Sequence, residues 1–159
     1  MPHLTTYVAL ADHSEKVLAE SFRTLAEGRP DVHDVFHMCH TFATMSSSHR
    51  ERLQPVIERY GEDEDVDEPE RLRASGVAKV REGEIGLLRD LQDIHLLATL
   101  AKTTWIVIGQ GAQGLRDSEL LECAQDSMAE TERQLRWLEM RMKSAAPQAL
   151  IVTPRKSSD

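Results

Sequence analysis

At 159 residues, 40% of them hydrophobic and 29% charged, the chain is sized for one domain that buries its core without disulfides or structural metals. A formal net charge of -8 and the acidic run over 62–70 leave no basic face for a phosphate backbone, so nucleic acid is not an expected partner. Residues 1–7 hold no cationic stretch followed by an apolar core, and no window approaches the roughly 18 apolar residues of a spanning helix, so a soluble cytoplasmic protein without a membrane partner is expected.

The first helix is expected over about 4–27, where Leu4, Val8, Ala11, Glu15, Leu18, Phe22 and Leu25 recur at spacings of four and three. Glu15 therefore points where the core should be. Gly28 and Pro30 stop this helix, and Asp31 is the expected N-cap of the next, with Asp34 in its first turn. So short a connection makes the two helices antiparallel neighbours.

The second helix, over 31–60, carries Val32, Phe36, Cys39, Ala43, Ser46, Arg50, Leu53, Ile57 and Tyr60, flanked by Val35, Phe42, His49 and Val56. Pro55 should kink its last turns or end its straight part near Gln54, with the pattern continuing beyond. From 61 to 86 the seam is lost. That stretch reads as a long crossover in which Leu72, Val77 and Val80 could form one short helix, and it makes the second and third helices parallel.

The third helix, over 87–115, is the strongest seam: Leu87, Leu91, Ile94, Ala98, Ala101, Trp105, Ile108, Ala112 and Leu115. Its end contains GQGAQG, formally a GxGxxG from Gly109 to Gly114, but a dinucleotide fingerprint needs a strand before it, and these glycines continue a helical repeat. Asp117 or Ser118 caps the fourth helix, over 118–145, with its seam at Leu121, Ala124, Met128, Thr131, Leu135, Leu138, Met142 and Ala145. Residues 1–146 thus form one domain. Pro147 ends the last helix, and the tail over 147–159 carries an apolar patch at 149–152 and a polar end.

Each seam turns polar or small at its midpoint: Glu15; Ser46 and His49; Ala101 and Thr104; Thr131 and Gln134. In antiparallel pairs of equal length these midpoints share one layer. The arrangement resembles the ferritin-like superfamily, and the stretches DLQDIHLLATLAKTTWIVIGQGAQGLRDSELL and ETERQLRWLEMRMKSAAPQAL are most similar to its small, stress-associated bacterial members. The resemblance implies an all-α, ferritin-like four-helix bundle with a long crossover between helices 2 and 3. In that family a dimetal site takes a Glu from each of two helices and a Glu-x-x-His pair from each of the other two.

Carried over position by position, Glu15 matches the carboxylate of the first helix and His49 the histidine of the second. Ser46, Thr131 and Gln134 stand at other ligand positions, and the third-helix carboxylate falls near Ala101 or Thr104. One carboxylate and one imidazole cannot hold two cations of about six ligands each, so Glu15 and His49 read as a vestigial metal site. A buried carboxylate needs a partner: Arg50 and His49 are the candidates, with Arg50 placed to fill the space the metals would occupy. Glu130 and Glu132 are expected to face solvent, although a rotated fourth helix would bring Glu130 inward.

His33, His37 and His40 are spaced four and three on a face turned away from the core, an exposed or interfacial stripe that could take Zn²⁺, Ni²⁺ or Cu²⁺ where a neighbour supplies the fourth ligand. The serines before His49 lack a strand-to-helix elbow, which argues against a hydrolase. Cys39 and Cys123 lie within helical patterns and read as buried reduced thiols. The expectation is a non-catalytic structural or interaction protein, a homo-oligomer or the binder of a protein partner, with no cofactor. The alternative is an iron-binding oxidoreductase or storage protein of the ferritin/rubrerythrin type, using iron or another divalent transition metal.

Overall fold

Apolar side chains recurring every three and four residues can be buried together only on one stripe of a helix, and each of the chain's four long helices buries one such stripe. The computed structural model describes residues 2–61 and 70–152; among these it is all-α, with four long helices and no strand. They are α1 (Pro2–Gly28), α2 (His33–Tyr60), α3 (Gly83–Leu115) and α4 (Ser118–Pro147), supplemented by a 3₁₀ turn at Glu70–Leu72 and a π-helical turn at Gln148–Val152. No helix among the described residues is long and apolar enough to cross a membrane.

Paired residues set the directions. His49 meets Glu15 and Arg50 meets Asp12 between α1 and α2. Arg141 meets Asp34, Arg52 meets Asp126 and Tyr60 meets Asp117 between α2 and α4. Trp105 meets Glu15 between α1 and α3, and His95 meets Glu139 between α3 and α4. For α1–α2 and α2–α4, and for α3–α4 once Lys102 with Glu132 joins His95 with Glu139, one residue number rises as the other falls, so these three pairs are antiparallel; α2 and α3, both antiparallel to α4, run in the same direction.

The expected cap of α2 changes, whereas the continuation past Pro55 and the cap of α4 are as expected. Asp31 does not cap α2: Pro30 and Asp31 lie in a turn closed by Val32 N–H on the Arg29 carbonyl, and the uncapped N-cap is Val32. Pro55 is accommodated inside α2, which continues to Tyr60. Asp117 caps α4, its Oδ1 accepting from Leu120 N–H at 3.1 Å, and it also accepts from the Tyr60 hydroxyl, tying the end of α2 to the start of α4. Burial would push the Asp117 carboxyl up, but the Tyr60 hydroxyl, the Leu120 amide and the Arg59 guanidinium together hold it below the usual carboxylate range.

α3 begins at Gly83, earlier than the apolar pattern indicates, because fully buried Asp90 accepts from the Arg81 backbone N–H at 2.9 Å and from its guanidinium at 2.7 Å. Leu115 ends the seam exposed, since the chain leaves α3 there through a left-handed Arg116.

The short helix expected around Leu72, Val77 and Val80 is confined to the 3₁₀ turn; residues 73–82 are not helical. The contacts of this segment with the bundle explain why. Val77 N–H donates to Ser21 Oγ, and the His13 ring bonds the Ala74 carbonyl. A Cβ on Gly86 would lie 2.7 Å from the Arg81 carbonyl carbon, and one on Gly28 would lie 2.5 Å from the Val80 side chain. Bare glycine backbone lets the segment approach the helices closely, and tertiary contact overrides a weak local preference. Most of the acidic run and the polar end of the tail lie outside the described residues. In the apolar patch at 149–152, Ala149 is buried while Leu150, Ile151 and Val152 are exposed.

Candidate functional site

The core has two apolar halves. One gathers Leu18, Phe22, Phe42, Leu91, Ile94 and Leu138, the other Val8, Leu53, Val56, Trp105, Ile108 and Leu120. Between them lie Glu15, Ser46, His49, Thr104, Thr131 and Gln134, all buried, so the polar midpoints of the four helices do share a layer.

Glu15 is fully buried and central to that layer. Its Oε1 accepts from His49 Nδ1 at 3.0 Å and from the Trp105 indole Nε1 at 2.9 Å. His49 is equally buried, and its Nε2 lies 3.5 Å from Glu130 Oε1. An imidazole between carboxylates of α1 and α4, with an uncharged indole from α3, is placed to carry a proton. Burial lowers its basicity, but the Glu15 hydrogen bond and charge and the Glu130 charge outweigh burial, so the His49 pKa is raised.

A basic group more basic folded than unfolded adds stability that is complete below its unfolded pKa, about 6.5 for histidine, and lost as pH rises through the folded value. The stability advantage of the wild type over His49→Gln should therefore narrow in urea titrations as pH increases from about 6 to about 9. A gap that stays level or widens would show that the imidazole is neutral in the fold.

The remaining layer residues mostly bond within it or to their own helix. Gln134 Nε2 donates to Ser46 Oγ and to the Phe42 carbonyl, both at 3.1 Å. The Thr131 hydroxyl donates to the Ser127 carbonyl and that of Thr104 to the Leu100 carbonyl, each one turn back along its own helix. Ala101 contributes no polar group. Glu15 Oε2, His49 Nε2 and Gln134 Oε1 are buried without a hydrogen-bond partner among the described residues.

Arg50 does not reach Glu15. Its Nε donates to Asp12 Oδ1 at 3.0 Å near the surface, with 35% of the Arg50 side chain exposed. α2 is turned so that Val35, Phe42, His49 and Val56, the flanking stripe, are buried, whereas Phe36, Arg50 and Ile57 are only partly so. Adjacent helical residues point about 100° apart, so seating His49 in the core moves Arg50 to its edge. Glu130 is also corrected: its side chain is 31% exposed and faces His49. Glu132 points outward toward Lys102.

This donor set does not fit a dimetal centre. The layer presents two carboxylates and one imidazole, and Glu15 Oε1 is already shared by two N–H groups. Among the described residues, no group of three or more His, Cys, Asp or Glu side chains is placed to hold a metal ion. His33 and His37 are exposed on α2 and His40 is half-buried. Their rings therefore lie apart from Glu15 and His49. Cys39 and Cys123 are buried free thiols, and burial, helped by Asp34, pushes Cys39 up to about 12. The GQGAQG segment lies inside α3, where Gly109 is buried and a Cβ added to it would meet Ala124 at 3.7 Å.

Of the members of the layer, Trp105 is not marked as polar by the residue pattern, and Glu130 enters it only through the alternative rotation of the fourth helix. Trp105 sits in the apolar seam of α3, and the available signal was its indole N–H, which needs an acceptor when buried. Glu130 required the rotation of α4. No family model, curated protein or solved structure matches this chain.

Proposed function

We propose that this chain is a ferritin-like bundle protein whose dimetal site has been replaced by a polar core network, and that it acts as a non-catalytic structural or interaction protein. The observation that carries this reading is the double engagement of Glu15 Oε1 by His49 and Trp105. A carboxylate held by an imidazole and an indole serves to join helices. Four inward acids would be expected of a functional dimetal centre; this layer holds two, Glu15 and Glu130. In this reading the protein works in the cytoplasm through its surface, by self-association or with a protein partner.

Iron content tests the proposal. Tag-free protein offered Fe²⁺ under air and then desalted should retain far less than one iron per chain, and light scattering should show an oligomer. Retention of about two irons per chain would restore the iron-binding oxidoreductase or storage protein. A strict monomer would remove self-association and leave the search for a heterologous partner.

A further inference from the structure

Three of the seven histidines bond through a ring nitrogen among the described residues. His13 bonds the Ala74 carbonyl, His49 bonds Glu15 and His95 bonds Glu139. The ring nitrogens of His33, His37 and His40 have no hydrogen-bond or ion-pair partner among the described residues. These three follow one another on a regular α2 at spacings of four and three.

Their neighbours are otherwise occupied. The Asp34 carboxylate accepts from Arg141 at 2.7 Å, and the Thr41 and Thr44 hydroxyls donate back to the main-chain carbonyls of His37 and His40. Nothing nearby competes for the ring nitrogens of His33 and His37, and both residues are exposed. The Phe36 ring lies edge-on to both His37, at 5.2 Å, and His40, at 4.8 Å between centroids, contacts that leave the ring nitrogens without a hydrogen-bond partner among the described residues; His40 differs in being half-buried.

We propose that His33 and His37 form a two-imidazole chelate on the outer face of α2 for a borderline divalent transition ion of the Zn²⁺, Ni²⁺ or Cu²⁺ class. Side chains four residues apart lie one above the other on a helix, with Cβ atoms about 5 to 6 Å apart, and two such imidazoles can close on one ion. Nitrogen donors select these ions over Mg²⁺ and Ca²⁺, which take oxygen. The two rings leave coordination positions open to water, and the protein's net charge of -8 favours a cation at its surface. His33 and His40 are too far apart along the helix to share an ion without His37. This surface site is independent of the core network.

Calorimetric titration of the full, tag-free chain with Ni²⁺ tests the assignment. One ion per chain is expected, with affinity reduced on the order of tenfold or more in both His33→Gln and His37→Gln and by less than about twofold in His40→Gln. Circular dichroism should be unchanged in His33→Gln and His37→Gln, both at the exposed helix surface, and confirms that half-buried His40→Gln stays folded. Absence of binding, binding that survives His37→Gln, or binding lost in His49→Gln instead would overturn the proposal. Equal losses in His33→Gln, His37→Gln and His40→Gln would replace the two-imidazole chelate with a three-imidazole one.

Discussion

Replacing Glu15 with alanine is expected to remove about 3 to 5 kcal/mol of folding stability, the usual consequence of deleting one partner of a buried charge pair. The change orphans two groups at once: the His49 imidazole, left with only Glu130 at 3.5 Å, and the Trp105 indole N–H. Urea unfolding at neutral pH gives the loss directly. A double-mutant cycle identifies its source. Glu15→Gln and His49→Gln should be coupled by about 0.5 to 3 kcal/mol, whereas Glu15→Gln and Arg50→Gln should be additive within about 0.5 kcal/mol, because Arg50 is held by Asp12. Coupling to Arg50 but not to His49 would mean that α2 is rotated from the position described.

The second large effect is expected at Trp105, which is fully buried where α3 faces Glu15. Trp105→Ala should cost about 3 to 5 kcal/mol, since it opens a large cavity beside a buried carboxylate. Trp105→Phe keeps much of the ring's volume and removes the N–H, so its loss should be smaller, about 1.5 to 3 kcal/mol, the range for a hydrogen bond to a charged group. If the indole acts through Glu15, the loss in Trp105→Phe should shrink in a Glu15→Gln background. An unchanged loss would assign Trp105 to packing alone.

These effects explain how a carboxylate can persist in the middle of a bundle. An isolated buried charge is unfavourable by several kcal/mol, so the layer is stable only if donors from other helices converge on it. Here α2 supplies an imidazole, α3 an indole, and α4 a second carboxylate facing the far side of the imidazole. The layer separates two apolar halves of the core, so a displaced helix would leave buried polar atoms unpaired.

The helices and the height of the polar layer could be read from residue order, because both follow from spacing along one chain. Leu91, Ile94, Ala98 and Ala101 have to lie on one stripe of α3, and a Glu at the midpoint of the α1 seam has to face a core. Glu15 and His49 were visible for the same reason. Rotation about a helix axis and register between helices depend on the whole packed assembly. Successive residues point about 100° apart, and a modest turn of α2 exchanges Arg50 for His49 as the inward side chain. The same dependence brought Glu130 to His49 and set the Trp105 indole against Glu15. Packing also decided the segment over 73–82, where Val77 and Val80 carry a weak helical pattern. Ser21, His13 and the close approach at Gly28 hold the chain against the bundle in a non-helical path, so contacts distant in sequence outweighed the local preference.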